Sequence, residues 1–382
     1  MSYQLTEEQL MVRDTARSFA ETELAPGAAE RDEHEIYPEE QIKKLGELGF
    51  LGVTVPEEFG GAGLDMISYS LIVEELARAD ASCSIIVSVN NSLVCYPLEV
   101  FGTADQKERF LKPLAAGKWV GAFALSEPES GSDAGAMKCM AVRDGDHYVL
   151  NGVKNFITTG SHADIIIVFA MTDPSKGSRG TTAFLVDTKK LGFEVGKKEK
   201  KLGIRSSDTV QIILNDYRIP ATDRIGEEGA GFKIALTTLN SGRIGVASQA
   251  LGIAQASLDE SIKYAAERRQ FGKPIGSFQA IRYKIARMAM EIDAGRLLIH
   301  RACAKKDRHE PFIKEAAMAK LFCSEVAVKS ALEAVQIHGG YGYIKEYPVE
   351  RYMRDSKITT IYEGTNEVMH LIIAEQLMGR AE

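Results

Sequence analysis

A carboxylate beside a turn, close to the C-terminus, is the first candidate for chemistry in this sequence. Glu363 and Gly364 follow an apolar-rich run and precede a helix-like segment at residues 368–377. Gly364 lets the backbone turn, or approach a ligand closely, where a side chain would be in the way. Thr365 or Asn366 could cap the next helix and leave free N–H groups pointed at an anion. An exposed loop glutamate before an ordinary helix cap is the alternative interpretation.

Two glycine-containing loops are further candidates for ligand binding. Residues 123–135 (FALSEPESGSDAG) form a small-residue loop, dense in backbone and hydroxyl donors, that suits a polar planar ligand. A solvated loop without a ligand is the alternative. The run at residues 60–63 lacks the lysine of a P-loop and does not fit GxGxxG, so we interpret it as a loop before a helix at residues 66–78.

Composition limits the class of protein. The chain has 382 residues, of which 45% are hydrophobic and 26% charged, as in soluble globular proteins. A formal charge of −7 and a pI near 5.7 argue against a general nucleic-acid binder. We find no run of about 18 apolar residues and therefore expect no membrane span. The N-terminus lacks a signal or transit pattern.

The cysteines predict neither a disulfide framework nor a metal site. The five cysteines are widely spaced, odd in number and without a CxxC pair. A reducing compartment is the direct interpretation. We therefore predict a cytoplasmic bacterial protein, with a mature mitochondrial matrix form as the alternative.

The helix and strand patterns that must position these candidates indicate an α+β protein that is mainly α. We expect an N-terminal helical domain (1–118), a middle antiparallel β domain (119–228) and a C-terminal four-helix bundle (229–382). Capping boxes at residues 6–9 and 103–106 begin helices, and residues 39–49 have helical spacing. A hairpin signal lies at residues 143–146, and strand-like runs lie at 165–169, 182–186 and 210–214.

The helical period returns after residue 231. Long helices are predicted at about residues 232–268, 278–306 and 311–337, with Pro311 suited to a first helical turn. Their apolar faces are rich in alanine, which permits close packing of helices in a bundle. Alternation of strands with helices is absent, so a Rossmann domain is not expected.

Five motifs, taken together, resemble the acyl-CoA dehydrogenase family of flavoproteins. They are the loop at 123–135, NGVKNFIT (151–158), ERRQFG (267–272), QIHGGYG (336–342) and YEGT (362–365). The resemblance covers essentially the whole chain, and the order of helices, strands and helices agrees with it. Through residues 88–93 and 242–245 as well, the chain looks most like the short-chain, butyryl-CoA type.

The resemblance implies FAD as cofactor and assigns contacts to it. In the β domain the implied contacts are Phe123, Leu125, Ser126, Ser132, Phe156, Ile157 and Thr158. In the C-terminal region they are Arg268, Phe271, Gln279, Gln336, Ile337, Gly339, Gly340, Thr365, Asn366 and Glu367. Arg268, Gln279 and residues 336–340 would reach the FAD of a neighbouring subunit, which implies a homotetramer arranged as a dimer of dimers.

The resemblance also assigns the chemistry. Glu363 would take the α-proton of an acyl-CoA thioester, and a desolvated carboxylate suits that role because its pKa is raised. Hydride would pass from the β-carbon to flavin N5, giving the trans-2-enoyl-CoA, and electrons would pass to electron-transferring flavoprotein. The implied substrate contacts are Ser132, Asn240, Arg243 and Gly364.

Five positions distinguish this chain from parts of the family that it resembles. Many relatives carry Trp where Phe156 stands, and Asn240 replaces an Asp common near the CoA contact. Relatives of the isovaleryl type place their base at the position of Gly242 and lack it at the position of Glu363. Glutaryl-CoA relatives carry an Arg near Ser84, where this chain has no charge.

Other functions remain open within the resemblance. The same chemistry on a medium-chain, branched or cyclic acyl-CoA is one alternative, and an oxidase-type member of the fold is another. A non-catalytic, DNA-associated member of the fold would need a basic C-terminal region. The low pI argues against such a function.

Overall fold

Helices dominate the N-terminal region of the computed structural model, which describes residues 4–379. In chain order these helices are α1 (Glu7–Phe19), α2 (Ala28–His34), α3 (Glu39–Glu47), α4 (Met66–Ala79), α5 (Ala81–Val89), α6 (Tyr96–Phe101), α7 (Ala104–Gln106) and α8 (Lys112–Ala115). Short π-helical segments, Ala20–Leu24, Asn90–Cys95 and Lys107–Leu111, connect several of them. The predicted helices at 39–49 and 66–78 are therefore confirmed with small shifts at their C-terminal ends.

Both predicted capping boxes are present. The Thr6 hydroxyl accepts a hydrogen bond from the Gln9 N–H (3.2 Å), and the Gln9 side chain accepts one from the Thr6 N–H (3.0 Å). Thr103 and Gln106 make the same reciprocal pair. The glycine run at 60–63 lies in a loop before α4, as predicted. Asp65 is the N-cap of α4. These local signals determined the helix starts correctly because each depends on residues only three positions apart.

The middle region forms one large sheet. Its strands are β1 (Gly121–Ala124), β2 (Met140–Asp144), β3 (His147–Thr158), β4 (Ile165–Met171), β5 (Thr181–Asp187), β6 (Phe193–Lys198), β7 (Thr209–Pro220) and β8 (Arg224–Ile225). The strand order is β6-β7-β3-β2-β4-β5-β8, and β1 pairs with β4. The predicted hairpin at 143–146 is confirmed as the β2–β3 turn, with Gly145 at φ +62°.

The predicted antiparallel β domain is present and most of its strand pairs are antiparallel, but the sheet as a whole is mixed. β1 lies parallel to β4, from Gly121 beside Ile165 to Ala124 beside Val168. β2 also meets β4 in parallel at one pair of residues. A parallel pair needs a long connection, so it joins residues far apart in sequence. The local alternation of side chains contains no information about that distant partner.

The C-terminal region is helical, as predicted. Its helices are α9 (Gly231–Glu267), α10 (Gln279–Asp307), α11 (Ile313–His338), α12 (Val349–Ile358) and α13 (Asn366–Met378), and the two-residue strands β9 (Arg269–Gln270) and β10 (Lys273–Pro274) lie between α9 and α10. Pro311 precedes α11 by two residues, so its predicted place in the first turn is wrong. Within residues 4–379 this region has three long and two shorter helices, and α9 also packs on α4.

One buried cluster joins the three regions and supports the loop that carries Glu363. It includes Leu98 from the N-terminal helices, Ile167 from the sheet, and Ile253 and Ala331 from the C-terminal helices. Tyr362 packs against this cluster. The residue next to the candidate base therefore packs on a core to which every part of the fold contributes.

One continuous helical stretch, Ala81–Phe101, is long and apolar enough to meet the criteria for a membrane span. Of its most apolar window, 94% is buried inside the protein. Core helices of soluble proteins satisfy the same criteria, so length and composition give this stretch little weight as a span.

Candidate active site

Glu363 lies in a strained loop between α12 and α13. Its φ is +52°, and Gly364 follows with a φ of +97°, so two consecutive residues have left-handed backbone. This conformation is unusual for a residue with a side chain, and it is concentrated at functional sites. Thr365 is the N-cap of α13, because its hydroxyl accepts a hydrogen bond from the Val368 N–H (3.4 Å). Of the two predicted caps, the structure therefore selects Thr365. We call residues 359–365 the base loop.

The carboxylate of Glu363 is desolvated. The residue keeps partial exposure as a whole, but both carboxylate oxygens are buried and have no hydrogen-bond partner within residues 4–379. Burial raises the pKa of Glu363 to about 7, although the nearby cations of Arg243 and Lys320 act in the opposite direction. The loss of water around a carboxylate penalises its charged form, which makes the ionised group a stronger proton acceptor.

A glycine on α9 makes room for this carboxylate. A Cβ atom on Gly242 would lie 1.9 Å from Oε2 of Glu363 and 2.8 Å from Cδ2 of Leu93. Such distances are far below van der Waals contact. A side chain at position 242 and a glutamate at position 363 therefore exclude each other. This geometry agrees with the expectation that a base is carried at one of these positions or at the other.

Two cations flank the carboxylate. Arg243 on α9 is nearly fully buried, donates to Oδ1 of Asn240 (2.5 Å) and leaves its Nε without a partner within residues 4–379. Burial lowers the pKa of Arg243 to about 10. Lys320 on α11 donates to the carbonyl oxygen of Gly364 (2.8 Å) and to Oδ1 of Asn366 (2.9 Å). The structure thus brings Asn240, Arg243 and Gly364, all predicted substrate contacts, close to the base.

Polar side chains pack along α9 beyond the base. The Tyr362 hydroxyl donates to Oε1 of Gln249, whose Nε2 donates to the carbonyl oxygen of Ala81 (2.8 Å). One turn after Gly242, a Cβ on Gly245 would meet Oγ of Ser88 at 2.1 Å. Sequence reasoning missed Gln249, because a buried glutamine on a long helix has no local signature.

A buried ion pair attaches the loop at 123–135 to the sheet of the β domain. Lys154 on β3 is fully buried and bonds both Oε1 of Glu127 (2.7 Å) and the carbonyl oxygen of Leu125 (3.0 Å). The Asn155 N–H donates to the carbonyl oxygen of Ser126 (2.9 Å). The predicted contacts Leu125 and Ser126 are therefore fixed to β3, while Phe123 packs on the core of the sheet.

Phe156 points a large aromatic surface outward. It has a φ of +59° and is 65% exposed, although it lies within β3. The β3–β7 pairing shifts register between Lys154 and Ile157, and this irregularity contains Phe156. Ile157 is buried and Thr158 is half-buried at the end of the strand. Ser132, by contrast, lies exposed in the loop at 123–135, so the structure does not bring it into contact with the base.

Arg268 lies in a separate groove near the end of α11. The groove has a volume of about 560 Å³ and contains Arg268, Ile337, Gly339 and Gly340 among its lining residues. The guanidinium of Arg268 lies 5.2 Å from the centre of the Tyr341 ring. Arg268 has no acidic partner within residues 4–379, so its guanidinium forms no salt bridge there. Phe271, which is 92% exposed, and the exposed Gln279 and Gln336 do not line this groove.

A second groove, of about 580 Å³, lies on the outer side of the base loop. Thr365, Asn366 and Glu367 line it, together with Lys329 and Lys357. Glu367 is exposed, and hydrogen bonds from its own N–H and from the Thr365 hydroxyl lower its pKa. The two neighbouring glutamates therefore have opposite environments. Glu363 suits proton transfer, and Glu367 suits a permanently charged surface position.

Comparisons with known proteins agree with this fold. The chain matches the family models "Acyl-CoA dehydrogenase, N-terminal domain" at residues 6–118, "middle domain" at 122–217 and "C-terminal domain" at 229–378. The chain belongs to the acyl-CoA dehydrogenase family, and it is an oxidoreductase of that class.

Individual relatives are similar over nearly their whole length. The mitochondrial short-chain specific acyl-CoA dehydrogenase of Mus musculus is 52% identical over 377 residues, which cover 99% of this chain and 92% of that protein. The structure of butyryl-CoA dehydrogenase from Megasphaera elsdenii is 49% identical with a TM-score of 0.98, covering 99% of this chain and 100% of that chain. A chain from a structural study of the electron transferring flavoprotein of Acidaminococcus fermentans is 49% identical, with a TM-score of 0.98 over 100% of both chains.

FAD is the cofactor of the family, and a structure of PigA with FAD and proline is similar as well (33% identity, TM-score 0.96, 100% of both chains). The residues of this chain fit that group. Phe156 offers an exposed ring face beside a threonine hydroxyl, and Arg268 offers a cation without an acidic partner in the described chain. Gly339 and Gly340 have no atom within 4 Å of an added Cβ, so a ligand can approach their backbone.

The contact between Gly242 and Glu363 gives a first prediction. Gly242→Ala would favour the helix intrinsically, but its methyl group must displace the carboxylate. We expect flavin reduction by an acyl-CoA substrate to fall roughly 10²-fold, because misplacing a reacting group by about 1 Å has that effect. Anaerobic stopped-flow absorbance at matched FAD occupancy measures it. Gly276→Ala, whose methyl group meets nothing closer than 3.0 Å, is the control. A wild-type rate in Gly242→Ala would contradict the position of the carboxylate.

Proposed function

We propose that this protein dehydrogenates short-chain acyl-CoA thioesters of the butyryl-CoA type to trans-2-enoyl-CoA, with Glu363 as the base for the α-proton. The observation that carries the proposal is the buried, unpartnered carboxylate of Glu363 between Arg243 and Lys320. A buried carboxylate without a hydrogen-bond partner can accept a proton from a bound substrate, and such perturbed groups are concentrated at functional sites.

Glu363 performs the proton step. The α-carbon of a thioester is a weak acid, so the base must be desolvated, and its conjugate acid must have a pKa near the working pH. The burial of Glu363 meets both conditions. The Glu363 N–H donates no hydrogen bond within residues 4–379, so it is available to the thioester oxygen, where negative charge develops. FAD, when bound, supplies the acceptor for the hydride that leaves the β-carbon.

The spacing along α9 supports a short acyl group. Gly242, beside the base, and Gln249, which Tyr362 closes off, are seven residues apart. At a rise of about 1.5 Å per residue this is roughly 10 Å of helix. The side chains of Ser88 and Tyr69 fill part of this distance at Gly245. Similarity to short-chain specific and butyryl-CoA dehydrogenases supports the same size of substrate.

We propose that the electrons pass to an electron-transferring flavoprotein, within the dehydrogenation step of fatty acid β-oxidation. The support is the close similarity to a chain from the Acidaminococcus fermentans study. No observation in the described residues specifically favours an oxidase-type function.

A homotetramer is the proposed assembly. Tyr283, Met290 and Leu297 are exposed and recur every seven residues along α10, which forms an apolar stripe. Such a seam is typical of helices that pack against another helix. The groove at Arg268, with open space at Gly339 and Gly340, supports the inference that FAD is shared across a subunit boundary.

Two glutamate variants test the proposed function. Glu363→Gln keeps the size of the side chain but removes the proton acceptor. We expect FAD to remain bound and flavin reduction by butyryl-CoA to fall by at least roughly 10²–10⁴-fold, as for the loss of a positioned base. Glu367→Gln is the matched control, since we expect it mainly to weaken retention of FAD. Anaerobic stopped-flow reduction at equal FAD occupancy decides, and near-normal reduction in Glu363→Gln with loss in Glu367→Gln overturns the assignment.

Acyl-chain length gives a separate prediction. We expect the specificity constant to be highest for butyryl-CoA, lower for hexanoyl-CoA and much lower for octanoyl-CoA. The decline should be graded, because one methylene in an apolar pocket changes binding by only about 1–3 kcal/mol. Steady-state assays with an artificial electron acceptor across this series measure it. A higher value for octanoyl-CoA than for butyryl-CoA would place the chain with medium-chain enzymes.

The assembly proposal predicts a link between association and cofactor retention. Met290→Glu places a charge in the apolar stripe of α10, and we expect both a smaller particle and faster loss of FAD. Met11→Glu is the control, because Met11 is equally exposed (65% against 62%) on the remote helix α1. Sedimentation velocity with detection at flavin wavelengths reports both quantities. A monomer that retains stoichiometric FAD would remove the idea.

A further inference from the structure

A buried lysine on α11 binds the base loop from inside the bundle. The side chain of Lys320 is fully buried. Its Nζ donates to the carbonyl oxygen of Gly364 at 2.8 Å and to Oδ1 of Asn366 at 2.9 Å. Ser324, one turn further along α11, also donates to Oδ1 of Asn366 (3.0 Å). The residues directly after Glu363 are therefore fixed to α11.

The base loop needs such an anchor. Glu363 and Gly364 both have left-handed backbone, and a non-glycine residue keeps this conformation only when its surroundings hold it. The main-chain bonds near this turn run from the Tyr362 N–H to Ile358 and from the Asn366 N–H to Thr360. Neither bond fixes the Gly364 carbonyl. Lys320 makes that contact.

The charge of Lys320 has no acidic partner in direct contact. Both hydrogen-bond acceptors of its ammonium group are neutral oxygens, and no carboxylate lies within ion-pair distance of Nζ among residues 4–379. An unpaired buried charge is unfavourable, and burial accordingly lowers the pKa of Lys320 to about 8. A neutral donor would satisfy the same two acceptors with less desolvation. The charge itself therefore calls for an explanation, and the nearby Glu363 carboxylate supplies it.

We propose that Lys320 is a positioning residue, which holds the Glu363 carboxylate at the reacting position through Gly364 and Asn366 and stabilises its ionised form. The inference rests on the proposed role of Glu363 as the base. It assigns Lys320 no contact with substrate or cofactor.

The sign of the electrostatic effect follows from the groups that face Glu363. Arg243 faces it from α9 and Lys320 from α11, and both favour the carboxylate; Tyr69 of α4 and the adjacent Tyr362 are neutral because burial raises their pKa. Glu367 lies on the far side and interacts with Lys320. Removing the lysine leaves Arg243 alone, so Glu363 binds its proton more tightly and the acid limb of the rate profile moves to higher pH.

Three substitutions of Lys320 and one control test the proposal in the holoenzyme. Lys320→Met removes the charge and the donors, Lys320→Gln keeps a donor without charge, and Lys320→Arg keeps both. Lys306→Met is the matched control, since Lys306 is a lysine of α10 whose pKa burial also lowers to about 8, but which donates to Ser241 and has no bond to the base loop. The rate of anaerobic flavin reduction by butyryl-CoA is measured from acid to alkaline pH at matched FAD occupancy. Isotope-edited infrared titration of the Glu363 carboxyl, without substrate, gives a second readout.

We expect Lys320→Met to move the acid limb and the infrared midpoint to higher pH and to lower the alkaline plateau about 10- to 10²-fold, because the base is then also misplaced. Lys320→Gln should show the shift with a smaller loss of plateau, and Lys320→Arg should restore the position of the limb. Lys306→Met should leave the limb in place. If Lys320→Met does not fold, Lys320→Gln carries the same test of the charge. A wild-type limb and plateau in the Met or Gln variant, while Glu363→Gln is inert, overturns the role of Lys320 alone. Normal reduction in Glu363→Gln overturns the proposed function instead.

Discussion

The burial of one carboxylate without a hydrogen-bond partner is the constraint on which the rest of this site depends. A charged group that loses water must be compensated by nearby opposite charge, or it takes up a proton. Here the compensation comes from two cations on different helices, Arg243 on α9 and Lys320 on α11, and neither forms a close ion pair with Glu363. The carboxylate is consequently available to a substrate, whereas a tight ion pair would have blocked it and depressed its basicity.

Several features of the fold follow from this requirement. Gly242 of α9 has no side chain and so leaves room for the carboxylate, although glycine destabilises a helix interior. The base loop adopts left-handed backbone at two consecutive residues, and helices from the C-terminal region hold it in place. Tyr362 joins the loop to the core shared by the N-terminal helices, the sheet and the C-terminal helices. The base loop therefore packs on a core to which all three regions contribute, and the sheet separately carries Phe156 and Thr158, the residues that we propose contact the cofactor.

Much of this arrangement was predictable from the sequence, because it is encoded locally or in motifs. The caps at Thr6 and Thr103, the β2–β3 turn and the long C-terminal helices depend on residues within a few positions of each other. The order of motifs identified the family and directed attention to Glu363. The parallel pairing of β1 with β4 was not predictable, since it joins residues more than forty positions apart. Lys320 was missed for a similar reason, because a lysine on an alanine-rich helix has the appearance of a surface residue until its distant acceptors are known.

Hydrogen exchange in D₂O shows directly whether Glu363 removes the α-proton. Acetyl-CoA has α-protons but no β-carbon, so proton removal proceeds without loss of hydride. With Glu363 as the base, we expect the holoenzyme to catalyse deuterium incorporation into the acetyl group, observed by mass spectrometry. The exchange rate should fall as the pH decreases through about 7, where Glu363 becomes protonated, and Glu363→Gln should show only the rate of buffer. Equal exchange by the Glu363→Gln variant and the wild-type enzyme would show that another group removes the α-proton.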